Sequence, residues 1–353
     1  MSPNETLILL LHQIQKGLFP ITRHLQSVPY QRPDTCIFGA ASIARILQDL
    51  QPLFSETDAP LASQVQQHIA QRYLPYHHPS RPGTFNFWQK AFPNGYLLHR
   101  LRHFRLPADI DDTALILSTG HFPPSHHLLV YQTAQEHTER ARRAQGWPIR
   151  PTFYRSVPNQ EWIYQTWFGV RMPLEFDVCA LCNWMCWVVE QGFYGQSPSD
   201  EATTRFLLAV LHSPEWIDQA PQVARHYGRP AWIAYYAARW ILACQKNGII
   251  LEVTPFQKLL LNQLTNDPTP DQLLLHIAHY KLGGDPRPGL EIPSPLWETF
   301  PLFLGHLLAP FGTYWATKPW ANLHWTSPAN GLALQMEYSL WHQHAHVLHR
   351  SGS

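Results

Sequence analysis

Residues 230–240, P-A-W-I-A-Y-Y-A-A-R-W, decide how the chain is read. On a helical period they are apolar nearly all round, and such a helix has to be buried on more than one side. The arrangement recurs loosely: a short Pro- or Asp-bearing segment delivers an apolar helix rich in small residues. Pro33-Asp34-Thr35 precedes C-I-F-G-A-A-S-I-A, and Pro107-Ala108-Asp109 precedes I-D-D-T-A-L-I-L. Glu175-Phe176-Asp177 precedes V-C-A-L-C-N-W-M, and Ser327-Pro328 precedes A-N-G-L-A-L-Q-M. Amphipathic helices such as 61–73 and 126–145 run between them. Buried helices alternating with amphipathic ones fit an inner barrel wrapped by an outer layer. The expected fold is therefore all-α, an α/α toroid of about five to six helical hairpins forming a single domain over 1–353. A plain helical solenoid stays open as the alternative.

The full set of expected helices is 5–17, 34–50, 61–73, 111–120, 126–145, 175–191, 201–212, 214–227, 231–247, 255–265, 271–281, 296–309 and 328–348. Strand-like alternation is sparse, with Thr84–Trp88 (T-F-N-F-W) the best case. The long irregular stretches, about 75–110 and 147–173, have the length of functional loops.

Composition narrows the function. Hydrophobic residues make up 45% of the 353, enough for a core, while charged residues reach only 14%, against about a quarter in ordinary domains. Fourteen Trp, 14 Tyr and 17 Phe either fill the interior or line a cavity. A net charge of +1 leaves no electrostatic footprint for nucleic acid. No apolar run approaches the roughly 18 residues of a membrane span, and Leu7–Leu11 lacks the flanks of a signal peptide, so a soluble cytoplasmic protein is expected. Five cysteines, three of them at 179, 182 and 186 on one helical face, suit packing better than disulfides.

The chemistry concentrates in Asp109-Ile110-Asp111-Asp112-Thr113. Asp is favoured in a first helical turn, where free amides welcome negative charge, and one or two would be explained as caps. Three carboxylates in four positions repel one another and raise each other's pKa, and against a dry aromatic wall one can serve as a strong acid. Both readings, cap and acid, stand at this point.

The string D-I-D-D-T-A resembles the DxDD(T) motif of class II terpene cyclases, which lies in their β domain, itself an α/α toroid. The surrounding order is similar too: an aromatic G-T-F-N-F-W segment, a loop, the acidic motif, then an apolar helix. The resemblance implies that Asp111 protonates a terminal alkene or epoxide, with Asp109 and Asp112 tuning its acidity. It implies a linear isoprenoid substrate such as farnesyl or geranylgeranyl diphosphate, with Mg2+ accompanying the diphosphate. Most class II cyclases close a γ domain over the β domain, for which 353 residues leave no room. The resemblance is therefore to a stand-alone β domain, as in bacterial drimane-type synthases, where it is fused to a haloacid-dehalogenase-like phosphatase. No convincing D-x-D-x-T/V nucleophile motif is present here, so the diphosphate would stay on the product and a separate phosphatase would remove it.

Phe85, Phe87, Trp88, Trp162, Trp167, Trp184 and Trp187 are candidates to line a cation-tolerant cavity, since ring faces stabilise positive charge. Phe87, Trp88, Trp167, Trp184 and Trp187 form the expected substrate wall, with Asp111 reaching the pocket; core packing is the plainer role for each ring. Asp177-Val178-Cys179 resembles the D-x-C zinc pair of protein prenyltransferase β subunits, although no His stands out as a third ligand, and no metal site is assigned. His342, His344, His346 and His349 scatter over different helical faces. Arg150, Arg155 and Arg171 are candidates to anchor a diphosphate, and ordinary surface arginines otherwise. The usual nucleotide, dinucleotide, serine-hydrolase and zincin motifs are absent. A class II-type cyclase is the first expectation; a non-catalytic toroid binding an apolar ligand or partner, or a zinc prenyltransferase-like enzyme, are the rivals.

Overall fold

The helices that are apolar all round do find partners on several sides. In chain order the elements are α1 (Pro3–Lys16), β1 (Ile21–Leu25), β2 (Tyr30–Asp34), α2 (Phe38–Asp49), α3 (Asp58–Ala70), α4 (Ile110–Thr119), α5 (Pro124–Gln135), α6 (Glu139–Ala144), α7 (Val178–Glu190), α8 (Pro198–Leu211), α9 (Glu215–Asp218), α10 (Ala220–Val223), α11 (Pro230–Lys246), α12 (Thr254–Leu261), α13 (Pro270–Lys281), α14 (Ser294–Thr299), β3 (Phe303–His306), β4 (Asn322–Thr326) and α15 (Pro328–Gly352). The computed structural model describes residues 1–25, 27–89, 106–147, 159–169, 172, 174–306, 320 and 322–352.

Six of these helices pack in a closed cycle: α2 on α4, α4 on α7, α7 on α11, α11 on α13, α13 on α15, and α15 back on α2. Their burial follows from composition. Every residue of α7 from Val178 to Val189 is buried, and so is all of α11 from Ala231 to Ile241. The helices between them touch the ring with one face: α3 buries Asp58, Ala62, Val65 and Ile69, the spacing of a single stripe. Helix α3 lies against α1 and α2, α8 against α7, α12 against α13, and α14 against α15. Starts are chemically marked. Proline opens α1, α5, α8, α11, α13 and α15, where its missing N–H costs nothing. Ser2 and Ser197 add reciprocal caps with Glu5 and Asp200.

The all-α expectation needs correcting. The described residues are mostly helical, but four strands form an antiparallel sheet in the order β2-β1-β4-β3. Helix α2 therefore begins at Phe38 rather than near 34, because Tyr30–Asp34 is an edge strand, where Pro33 removes no inner ladder bond. The helix expected over 296–309 stops at Thr299 and is followed by β3. The 126–145 helix breaks where Thr138 caps α6 through Ala141 N, and 214–227 divides into α9 and α10. Thr84–Trp88 is not a strand; Phe85 makes only an isolated bridge to His77. No helix among the described residues is long and apolar enough to cross a membrane.

Inside the ring lies a buried ionic network. On α2, Arg45 pairs with Asp49 at 2.9 Å and with Glu190 of α7 at 2.5 Å. Arg239 of α11 reaches Asp49 at 2.8 Å, and Lys281 of α13 reaches Glu337 of α15 at 2.7 Å and Asp49 at 3.6 Å. The Tyr235 hydroxyl donates to Glu337 at 2.7 Å. Burial alone would raise Asp49, but Arg45, Arg239 and Lys281 hold it well below the usual carboxylate range. Three cations meet three carboxylates, so the charge closes. Removing one member leaves another uncompensated. Lys281→Met is expected to destabilise the protein by about 3–5 kcal/mol in denaturant unfolding. Arg205→Ala, which breaks the exposed Arg205–Glu201 pair, should cost under about 1 kcal/mol. Equal effects would contradict the assignment of the network as a structural core.

Candidate functional site

Helix α4 starts at the acidic motif because Asp109, in extended backbone, caps it: its Oδ1 accepts from Asp112 N at 2.8 Å. The residues before the helix are pinned across the chain, with Ile110 N donating to Thr166 O at 3.0 Å and Phe168 N to Ala108 O at 2.9 Å. Thr113 Oγ1 accepts from Phe85 N at 3.0 Å, which ties the T-F-N-F-W segment to the motif. One aspartate thus suffices for the cap. The other two have different surroundings.

Asp111 is buried between two donors from other parts of the ring. Asn183 Nδ2 of α7 donates to its Oδ1 at 2.7 Å, and the Tyr227 hydroxyl, just before α11, donates to its Oδ2. Burial raises the Asp111 pKa, and these two donors pull it part of the way back. Asp112 is deeper, 2% exposed against 9% for Asp111, and its Oδ1 has no hydrogen-bond partner. Burial and then the Asp109 and Asp111 charges push it far up, so Asp112 is the member that holds its proton most firmly. Asp109 is raised by burial and by Asp111. Asp111 is thus the cluster member that gives up a proton most readily while still being raised.

Phe87 and Trp88, expected on the substrate wall, belong to a group of rings that connects to Asp111 through Phe303, Phe38 and Tyr227. Their rings meet edge to face at 4.7 Å, Phe87 packs on Phe303 at 5.1 Å, and Phe303 stacks on Trp325 at 4.7 Å. Phe38 touches Phe303 at 5.0 Å and Tyr227 at 6.0 Å. A file of rings therefore leads from the sheet to the phenol on Asp111. Asp34 fixes its outer end, accepting from Trp88 Nε1 at 2.8 Å and Trp325 Nε1 at 2.7 Å. Trp167 lies beside the motif through its backbone bridge to Asp109, with Nε1 donating to Glu175 at 3.1 Å.

Trp184 and Trp187 require a correction. Both are fully buried, packed on each other at 4.6 Å with their rings tilted by 39°, and covered by Tyr164, Phe168, His127 and Phe193. Their ring contacts are with α5 and with the segments on either side of α7, and neither ring lines the two hollows described below. Phe85 is likewise core, and Trp162 carries the Arg140 guanidinium 4.3 Å over its ring. Arg150, Arg155 and Arg171 lie outside the described residues.

Two hollows bear on the site. A gap of about 10 Å3, room for one water, lies inside the ring between Phe38, Ser42, Trp232, Tyr236, Arg239 and Leu334. A cleft of about 540 Å3 opens beside the sheet, lined by Phe19, Ile21, Asp34, Thr35, Arg72 and Tyr76 among others. Asp111 lines neither of these two hollows. Sequence reasoning missed Asn183, Tyr227, Arg239, Phe303 and Trp325. Asn183 and Arg239 did carry a signal: each is a lone polar residue in an otherwise apolar helix face, and a buried polar group requires a partner.

The Asp177–Cys179 zinc pair is not assembled. Asp177 caps α7, its Oδ1 accepting from Cys179 N at 3.0 Å and Ala180 N at 3.3 Å, and its Oδ2 accepts from His226 N at 2.8 Å. Burial pushes the Cys179 thiol far up, which keeps it protonated. The potential ligand group among the described residues is Glu175, Asp177 and His226, without Cys179. Glu175 and His226 already form an ion pair at 2.5 Å. Near the C-terminus only His342 and His346 meet, at 3.2 Å.

That ion pair shapes the pH response. Burial alone would lower His226, but Glu175 and Asp177 overcome it and hold the ring up at about 9, against a usual 6.5. Its stabilisation is complete below the unfolded value and is lost as pH rises through about 9. Burial opposes Glu175 as well, yet His226 draws it down to about 2, so its share is lost only in strong acid. Asp177, pushed up by burial to about 6, favours the protonated fold and weakens stability as pH rises toward 6. The melting temperature should therefore peak near about pH 5 and fall toward about pH 9, and His226→Gln should flatten the alkaline part of that fall. A wild-type profile that rises above neutrality would contradict this balance.

Searches of family models, curated proteins and solved structures return no match to this chain, so the site's geometry and the motif carry the functional argument.

Proposed function

We propose that this protein is a class II-type terpene cyclase on an α/α toroid, with Asp111 as the general acid. The observation that carries the reading is the placement of Asp111. It is a raised, buried carboxyl in a three-aspartate turn, with an amide on one oxygen and a phenol at the end of an aromatic file on the other. The closed cycle of inner helices with a second helix set outside supports the toroid.

In this reading a linear isoprenoid, such as farnesyl or geranylgeranyl diphosphate, places its terminal alkene at Asp111. The alkene π pair takes the carboxyl proton, a C–H bond forms, and the positive charge falls on the more substituted carbon. The π pair of the next alkene closes a ring onto that carbon, and the rings of Phe38, Phe87 and Phe303 stabilise the travelling charge. Loss of a proton ends the sequence as an isomerisation, or water adds and ends it as a hydration. Asp112 keeps its own proton throughout, which spares Asp111 a second adjacent negative charge. The rings of the file have to part as substrate enters, and the neighbouring cleft of about 540 Å3, which shares Asp34 with the file, is of ligand size. The diphosphate would carry Mg2+, and a separate phosphatase would act on the product. One observation favours a non-catalytic ring instead: Asp111 lines neither hollow.

The two readings part on one variant. Wild-type protein incubated with either diphosphate should yield cyclic alcohols after dephosphorylation, read by mass spectrometry. Asp111→Asn should lose turnover by at least about 10⁴-fold, the upper range for general acids, with an unchanged circular dichroism spectrum. Asp109→Asn and Asp112→Asn should weaken turnover less. Cyclised product from Asp111→Asn at the wild-type rate would remove the proposed acid.

A further inference from the structure

Among the described residues, Arg239 links the ionic network inside the ring to the acidic cluster, through Asn183. Its guanidinium is buried and used on three sides: Nε pairs with Asp49 at 2.8 Å, Nη2 donates to the Tyr235 hydroxyl at 2.7 Å, and Nη1 donates to Asn183 Oδ1 at 3.4 Å. The last contact is long, but its chemistry is one-sided. A guanidinium carries only donors, so the Asn183 atom facing it has to be the carbonyl oxygen. The side-chain amide is planar, so its NH2 then faces the other way, onto Asp111 Oδ1 at 2.7 Å. An NH2 group can only donate, which makes Oδ1 an obligatory acceptor; any proton on Asp111 then sits on Oδ2, where the Tyr227 hydroxyl, a donor to the ionised carboxylate, turns to accept.

We propose that Arg239 is the positioning residue of the acidic site: anchored by Asp49 and Tyr235, it locks the Asn183 amide in the orientation that puts the transferable proton on Oδ2 of Asp111. This deepens the cyclase reading and rests on it for the word transferable, but the orientation itself does not. Other groups face the cluster as well. Asp109 and Asp112 act from the same turn, Cys179 and Cys182 from α7, His226 and Tyr227 from the segment before α11, and Tyr236 from α11 itself. On the α2 side, Cys36 faces Asp112, and on the α3 side Tyr73 meets only Thr119, at the far end of α4. None of these is both a fixed cation and a neighbour of Asn183. Without Arg239 the amide is free to turn its carbonyl to Asp111, which then has to stay protonated to donate to it. The lost cation acts in the same direction, so both effects make Asp111 a weaker acid.

Arg239→Gln tests this in the full chain, because a glutamine can offer Asn183 its own carbonyl and release the lock, while Asp49 keeps Arg45 and Lys281. The readout is the titration of the Asp111 carboxyl carbon by NMR in aspartate-labelled protein, assigned by its loss in Asp111→Asn. The midpoint should rise by about one unit or more, a tenfold change in the ionisation equilibrium. In an Asn183→Ala background the same substitution should move it by much less, since only the charge effect is left. Equal shifts in both backgrounds, or none in either, would overturn the positioning role. If Arg239→Gln does not fold, Arg239→Met, which removes every donor facing Asn183, takes its place under the same criteria. Steady-state kinetics add a separate arm: kcat should fall with KM nearly unchanged, and the pH profile should move with the NMR midpoint. Absence of any turnover in the wild type would defeat the cyclase reading while leaving the NMR test of the lock intact.

Discussion

Arg239 cannot surrender its charge, and much of the interior is arranged around that constraint. A guanidinium stays protonated at any ordinary pH, so once it is buried every direction it points in must offer an acceptor. The Tyr235 hydroxyl of α11 and the Asn183 carbonyl of α7 accept from it, and Asp49 of α2 faces it as its ion-pair partner. Through Asp49 the charge is tied to Arg45 and Lys281, and through Lys281 to Glu337, so that five of the six ring helices are held by one balanced set of ions. Through Asn183 it is tied to Asp111. The network that holds the ring together at one end thus also orients the acidic turn at the other.

The acidic turn is built from opposed demands on three neighbouring carboxyls. Asp109 works as a cap and is drawn toward the amide of Asp112, which places two carboxyls close together in a dry setting. Such a pair keeps a proton because both members cannot be ionised at once. Asp112, with an unpartnered buried oxygen, is where that proton rests most firmly. Asp111 is also raised, and Asn183 and Tyr227, solvating it from outside the turn, pull it part of the way back. Capping and acidity, alternatives when three aspartates are read as a string, are divided here among different residues of the same turn.

What was legible in the sequence is what period and punctuation encode. The helices apolar all round, 178–189 and 231–241 above all, are in the ring, and prolines mark several starts where the pattern placed them. The sheet was not legible for a physical reason. Its strands are four or five residues long, and they pair segments from opposite ends of the chain, Thr22 with Thr326 for example, so no local alternation announces them. The aromatic wall was half legible. Phe85 is tied to the motif through its N–H on Thr113 Oγ1 and Phe87 and Trp88 follow it into the ring file, whereas Trp184 and Trp187 share a helix face that turns to the outer layer. Spacing tells which rings lie together on a helix; only the neighbours decide which side faces the acid. Asn183 and Arg239 were visible as lone polar residues, but their partners come from helices far apart in sequence.

The central claim is that the aspartate turn retains a proton at neutral pH inside a closed helical ring. Isotope-edited infrared spectroscopy of aspartate-labelled protein measures this directly, since a protonated carboxyl has a carbonyl stretch well separated from the carboxylate bands. The account predicts a protonated-aspartate band at neutral pH in the wild type that weakens in Asp112→Asn, the proton of Asp111 being left. A neutral-pH spectrum containing only carboxylate bands for the aspartates would contradict it.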